Sequence, residues 1–206
     1  HVSESRWHDL PAAVRHEAGR ATLNWLACTL GGCRDDTVNR LHAALRDFAG
    51  PAQATLIGRS EKSDVLTAAL INAVSSNVLD FDDTHLATVV HPTAVVAPAL
   101  LALVEYRHSS GAEFLHALAL GIETACRIGN AVGPAHYEDG WHISGTCGVF
   151  GAAVAAAKLL GLDAQQTRWA LGIAEVVALG HAAKLQAQSR CRGGGNAERP
   201  ARLLRI

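Results

Sequence analysis

Between two Ala-rich apolar stretches the chain carries Leu79-Asp80-Phe81-Asp82-Asp83-Thr84-His85, followed by His91-Pro92-Thr93. Three carboxylates, hydroxyls and two imidazoles fall in one short segment. Taking titratable groups out of water costs free energy, so a dense set of them beside core-forming segments calls for a reason. Carboxylates and imidazoles whose protonation is moved by neighbours are the materials of general acid–base catalysis. Taken singly, each residue has a simpler use. Asp80 can sit at a helix C-terminal junction, Asp82 and Asp83 can be solvated loop residues, and His91 can precede a helix opened by Pro92.

Three chemistries compete for this segment. A metal site fits poorly. The DDxxD magnesium pattern of terpenoid synthases fails because its fifth position is Leu86, and His85 and His91 lack the i,i+4 spacing that puts two ligands on one helix face. Metal-free acid–base catalysis on a carboxylate substrate fits better. His85, His91 and His142 supply positive charge and protons, and Asp80 or Asp83 acts as base or orients a histidine. The third reading is a structural network in which the aspartates cap helices and neutralise histidines.

The elements that must position these groups read as helices. Asp9 with Pro11 opens the first, which Gly31-Gly32 ends; Asp35-Asp36-Thr37 opens the second and Gly50-Pro51 stops it. Ala54 to Ile57 is a short strand or extended connector. Ser63 or Asp64 starts a third helix leading to Asp80. Pro92 opens a fourth, which Pro98 should kink or delay. Ser110 to Glu113 is a capping box for a fifth, ended by Gly133-Pro134. A polar loop from His136 to His142 feeds a sixth helix with a stripe of small residues from Gly145 to Ala156, which lets another backbone approach closely. Close helix packing is its simpler use; left uncovered, the stripe would favour self-association. Asp163 to Gln166 caps a seventh helix. Strands are nearly absent, so the fold class is all-α.

Composition narrows the function. The formal net charge of the 206 residues is −1, which offers no basic field to nucleic acid. Ala94 to Val104 is too short to span a membrane and holds Pro98. The five cysteines, Cys28, Cys33, Cys126, Cys147 and Cys191, have no CxxC spacing, which suits reduced thiols in a cytoplasmic protein. Cys147 has nucleophile potential, but a small buried hydrophobe is its simpler role. The chain begins with His1 and contains no Met, so the expectation is that its original start is missing.

These residues resemble the MmgE/PrpD family, whose members include 2-methylcitrate dehydratase, cis-aconitate decarboxylase and iminodisuccinate epimerase. The likeness runs from Leu79–His85 and His91-Pro92-Thr93 through Pro98–Glu105, Gly121-Ile122-Glu123, Arg127-Ile128-Gly129 and Gly140-Trp141-His142. It continues in Gly145-Thr146-Cys147-Gly148, Phe150–Ala153 and Ala170–Ala174. The resemblance implies an enzyme without metal or organic cofactor, homodimeric, with a large helical domain and a smaller α+β lid domain. It puts Asp80, Thr84, His91 and His142 on catalytic positions, and Asp83, His85 and Lys184 among the substrate contacts. Asp80 or a partnered histidine would take a proton beside a carboxylate; His91 or His142 would protonate a departing hydroxyl or hold a carboxylate; Thr84 would bond to substrate.

The chain also departs from the family. Asn77 stands where members often carry His. The H-x-G pattern that follows the family's active-site lysine is missing after Lys184, for which a plain surface lysine is the simpler reading. From about Gln186 the text turns Arg- and Gly-rich. The expected organisation is a helical domain over 1–185 and a disordered or aberrant tail over 186–206, from a frameshift or truncation, with the lid domain absent. The resemblance favours a hydro-lyase acting on a methylcitrate-like tricarboxylate in propionate catabolism. The alternatives are another family activity, cis-aconitate decarboxylase or iminodisuccinate epimerase, or an inactive fragment. As the chain stands, little or no turnover is expected.

Overall fold

Seven α-helices build the described part of the chain: α1 (Ala12–Gly32), α2 (Asp36–Leu45), α3 (Val65–Asn77), α4 (Pro92–Arg107), α5 (Gly111–Glu138), α6 (Ile143–Leu159) and α7 (Ala164–Arg192). The computed structural model describes residues 2–192, with side chains through residue 178. Two short strands, β1 (Ala54–Thr55) and β2 (Lys62–Ser63), pair antiparallel with Ala54 opposite Ser63. The fold is therefore all-α, as the sequence pattern indicates.

Most helix starts are set by side chains one turn away. Asp35 accepts the Thr37 N–H at 2.8 Å at the start of α2. Asp64 accepts those of Leu66 and Thr67 at 3.1 and 3.0 Å and so caps α3. Ser110 and Glu113 close a reciprocal capping box on α5, and Asp163 and Gln166 do the same for α7. Each such bond satisfies an N–H that the helix itself leaves unpaired.

Two boundaries differ from the sequence reading. Asp9 does not cap α1: its carboxylate accepts the Arg6 N–H at 2.7 Å inside a 3₁₀ turn over Trp7–Asp9, and Pro11 takes the cap position. Gly133-Pro134 ends the first helical run of α5, as the sequence reading has it, but the segment after it, read as loop from His136, starts as a second short helical run. Gly133, at φ 69° and ψ −178°, breaks the ladder, and the chain then continues helically through Pro134 to Glu138 in a new direction. Glycine accepts that conformation without steric cost, and proline suits the first turn of the restarted segment. Pro98 lies inside α4 without delaying its start at Pro92.

The stripe of small residues on α6 packs inside the domain. A Cβ on Gly151 would stand 2.5 Å from the Gly121 carbonyl oxygen on α5, and one on Gly148 would stand 2.9 Å from Val95 on α4. The stripe is thus not free for association between chains. Trp25, Val96, Leu100 and Leu118 anchor the main core, and Val38, Leu56 and Ile71 a second core under α2. The segment read as a tail from 186 begins, as backbone, within α7; residues 193–206 lie outside the described residues.

Candidate active site

The Asp80 segment forms a crossover from the end of α3 to the start of α4. Asp80 (φ 56°) and Val89 (φ 58°) hold left-handed backbone near its two ends. For Val89, a β-branched residue, this is a strained conformation, and such strain concentrates at functional loops. Within the loop, His85 and Val90 form an isolated antiparallel bridge. The His85 ring Nδ1 lies 2.7 Å from the Thr88 hydroxyl, so His85 serves the loop's own turn.

Two helices begin beside this loop. His91 is the N-cap residue of α4, and His142 is the N-cap residue of α6. Their neighbours Val90 and Ile143 join Ala125 and Cys147 in one buried cluster, the third core of the domain. The His91 backbone N–H also donates to the Ser144 hydroxyl at 2.9 Å, in the first turn of α6. Apolar burial on one side and this bond on the other set the two histidines at adjacent helix N-termini. The unpaired N–H groups and the macrodipole there favour negative charge. The approach to His142 is braced by Trp141, stacked on His136 with centroids 5.8 Å apart, and by His136, whose Nε2 lies 2.7 Å from the Thr146 hydroxyl.

His91 sits between two carboxylates. The Asp82 Oδ2 approaches its Nδ1 at 3.3 Å, and the Asp80 Oδ1 lies 3.9 Å from its Nε2. The Asp82 side chain is fully buried, whereas that of Asp80 is 83% exposed. Asn77 donates its amide to both Asp82 oxygens, at 3.2 and 3.4 Å. The Thr84 hydroxyl lies 3.5 Å from the His91 Nδ1 and bonds to the Asp82 carbonyl at 3.4 Å. Asp80, Thr84 and His91 are thus brought together, with Asp82 and Asn77 beneath them. The His142 Nδ1 accepts the Gly145 N–H at 3.0 Å. A nitrogen that accepts a hydrogen bond carries a lone pair, so neutral His142 bears its proton on Nε2.

Asp83 belongs to a different set of contacts. It takes a 2.6 Å bond from the Thr93 hydroxyl, and its own N–H donates to the Asn24 side chain at 3.1 Å. Its second oxygen is buried without a partner. Burial pushes the Asp83 carboxyl above its ordinary pKa, with the Asp82 charge adding to the shift against the pull of Thr93 and His91. Asp83 lines a cleft of about 490 Å³ between α1 and α5, together with Glu17, Arg20, Asn24 and Glu123. Lys184 lies in α7, and its side chain is outside the described residues.

Asp80, Asp82 and His91 present ligand-type atoms within 4.8 Å of one another. His91 turns a different nitrogen to each carboxylate, a geometry that suits a bridging imidazole better than a common ion. Cys147 is 1% exposed, and burial raises its thiol pKa, which suits a core residue rather than a nucleophile.

Sequence reasoning passed over Asp82 and Ser144 as site residues. The Asp80-x-Asp82 alternation was a usable signal for the first. Nothing local marks the second, which lies 53 positions from its partner His91.

Comparison with known proteins places these residues in a family. The MmgE/PrpD N-terminal domain model matches residues 1–201. The cis-aconitate decarboxylase-like protein oryM of Aspergillus oryzae is 34% identical over 181 residues, covering 84% of this chain and 38% of that protein. Cis-aconitate decarboxylase of Aspergillus terreus is 31% identical over 178 residues, covering 84% of this chain and 36% of that protein. The human enzyme of that name is 39% identical over 113 residues, 52% of this chain and 23% of its own length. The chain spans little more than a third of the length of the curated relatives it matches. With the family model covering nearly all of its residues and the histidine-capped helices in place, the chain belongs to the MmgE/PrpD family, as its N-terminal helical domain.

Proposed function

We propose that this domain carries the acid–base half of a lyase site for a small tricarboxylate, with decarboxylation of a cis-aconitate-like acid as the first reading. The observation that supports it is the placing of His91 and His142 at the adjacent N-termini of α4 and α6, beside Asp80 and Thr84. Helix N-termini and imidazoles hold substrate carboxylates. Loss of CO2 from an unsaturated tricarboxylate leaves an electron pair in the carbon skeleton, and a carbon there must take up a proton. In this reading the His142 Nε2–H donates it and His91 helps to hold a carboxylate; Asp80 with His91 takes up a substrate proton only in the dehydration reading. Each well-positioned transfer contributes ~10² to 10⁴ in rate. No step in this reading needs a metal ion.

Decarboxylation takes precedence over the hydro-lyase reading because the relatives at 31–34% identity carry the name cis-aconitate decarboxylase. Dehydration of 2-methylcitrate draws on the same groups and is the second reading. Association as a homodimer is part of the same proposal; Leu66 on α3 and Trp169, Ile173 and Val176 on α7 are exposed apolar residues for it to cover. The test is incubation of the purified chain with each acid, following CO2 release and the absorbance of the unsaturated product. We expect cis-aconitate to bind, with CO2 released slowly if at all because the chain supplies only half of the site, and both signals to be lost in His91→Ala and His142→Ala. Conversion of 2-methylcitrate alone would put the hydro-lyase reading first, and neither binding nor turnover of either acid would sink the proposal.

A further inference from the structure

We propose that Asp82 is a positioning residue that holds His91 with its proton on Nδ1, so that His91 and His142 stand in opposite tautomers and divide the acid and base roles. The role in catalysis rests on the lyase reading above; the tautomers themselves do not.

The argument starts from burial. The Asp82 side chain is fully enclosed, and its Oδ2 stands 3.3 Å from the His91 Nδ1. An ionised carboxylate has lone pairs and no proton to give. A buried one facing an imidazole lone pair would add repulsion to its desolvation, so the facing nitrogen must carry hydrogen. Asn77 donates to both Asp82 oxygens, which secures the acceptor character of the carboxylate from the other side. Asn77, Asp82 and His91 thus form a chain in which each member orients the next. The Thr84 hydroxyl, 3.5 Å from the same Nδ1, gives its hydrogen to the Asp82 carbonyl at 3.4 Å and so also meets that nitrogen as an acceptor. With Nδ1 turned to these two oxygens, the His91 Nε2 is the nitrogen left for chemistry, and Asp80 flanks it at 3.9 Å.

His142 is held in the reverse sense. Its Nδ1 accepts the Gly145 N–H at 3.0 Å, so its Nε2 carries the proton. One imidazole is set by a buried carboxylate and the other by a helix N–H. The result is a base and an acid of the same residue type side by side, assigned by their anchors. Asp82 takes up no proton in this scheme. In dehydration His91 Nε2 takes the proton beside the carboxylate, His142 gives its own to the departing hydroxyl, which leaves as water, and Asp82 stabilises the His91 imidazolium until solvent resets both rings. In decarboxylation only the His142 step is used, its proton going to the carbon skeleton as CO2 leaves. A carboxylate acting through histidine in this way is worth orders of magnitude in rate in hydrolase triads.

The test is long-range ¹H–¹⁵N correlation on the histidine-labelled chain at about pH 8.5, where an ordinary imidazole is neutral. The expected spectrum shows His91 protonated on Nδ1 and His142 protonated on Nε2. In Asp82→Asn the new side chain must give its carbonyl oxygen to the Asn77 donor and turn its amide toward His91. His91 should then move to the Nε2–H form while His142 stays unchanged, with kcat on the turned-over acid falling by ~10² to 10⁴ and KM changing little. A wild-type His91 protonated on Nε2 overturns the proposal outright, and needs no variant to fold. An Asp82→Asn spectrum with His91 unmoved overturns it equally. Absence of turnover in the wild type would count against the lyase reading alone, since the tautomers are read without substrate.

Discussion

Four helix N-termini of this domain can be set side by side. Those of α3 and α5 are capped by Asp64 and by the Ser110–Glu113 pair, short polar side chains bonded to N–H groups within three residues. Those of α4 and α6 are occupied by His91 and His142. His91 makes no side-chain cap bond at all, and histidine ranks well below Asp, Ser or Asn as a cap. The contrast marks where stability has been given up. At α3 and α5 the cap serves the helix alone; at α6 an imidazole makes the cap bond, and at α4 the cap position holds an imidazole that bonds no helix N–H and stands beside two carboxylates and a strained loop.

The sharpest way to separate the two kinds of cap is His142→Asn. Asparagine can accept the same first-turn N–H and is a better cap, so thermal stability should hold or rise. Turnover of the tricarboxylate should fall ~10² to 10⁴-fold, about 3 to 5 kcal/mol in the barrier, because the proton donor is gone. A variant that keeps its activity would make His142 a structural cap like the others.

Gly151→Ala probes packing rather than capping. Its Cβ would stand 2.5 Å from the Gly121 carbonyl oxygen and 3.0 Å from Ala125. Overpacking a well-filled contact of this kind costs about 1 to 3 kcal/mol, read as a shift in the denaturant midpoint. An unchanged midpoint would mean that α5 and α6 are not in close contact.

Asp64→Ala removes a purely structural cap and should cost about 1 kcal/mol at neutral pH, with substrate affinity unaffected. The hydrogen bonds from Thr67 and its neighbours hold the Asp64 carboxyl well below the usual carboxylate range. A lowered folded-state pKa means the contribution is present above the unfolded value, near 3.8, and is lost as pH falls through the folded value. The gap between wild type and variant should therefore narrow in strong acid.

Asp83→Asn should act with the opposite sign and the smallest size. Burial raises the Asp83 pKa, so its ionised form opposes folding, and the stability linked to its neutral form is lost as pH rises through the folded value. The variant should melt at or slightly above the wild-type temperature at pH 7, with the difference vanishing below about pH 3, where both states hold the proton. A clear loss of stability at pH 7 would show that the charge of Asp83 is paired.

Much of this comparison was legible in the sequence for a simple physical reason. The caps at Asp35, Asp64, Ser110 and Asp163 act within one turn, so residue type and spacing suffice. The small stripe on α6 was legible as helix packing because close approach of a neighbouring helix leaves no room for a Cβ at Gly148 or Gly151. The stop at Gly133-Pro134 was legible because glycine accepts a positive φ there; the short helical run after it, to Glu138, was not, because its polar residues read as loop. Asp82 was seen but left without a role: its pairing with His91 depends on the turn at Asp80, whose left-handed backbone no local pattern announces. The Ser144–His91 bond joins distant positions and needs the α4–α6 packing to exist.

The central claim is that His91 and His142 serve one carboxylate site. Titrating cis-aconitate into the histidine-labelled chain tests it directly, by following each imidazole resonance. The account predicts that His91 and His142 shift together along one saturation curve, while His116, whose Nε2 is 2.9 Å from the Ser5 hydroxyl near the N-terminus, stays still. Movement of one of the pair without the other, or of neither at millimolar acid, would contradict it.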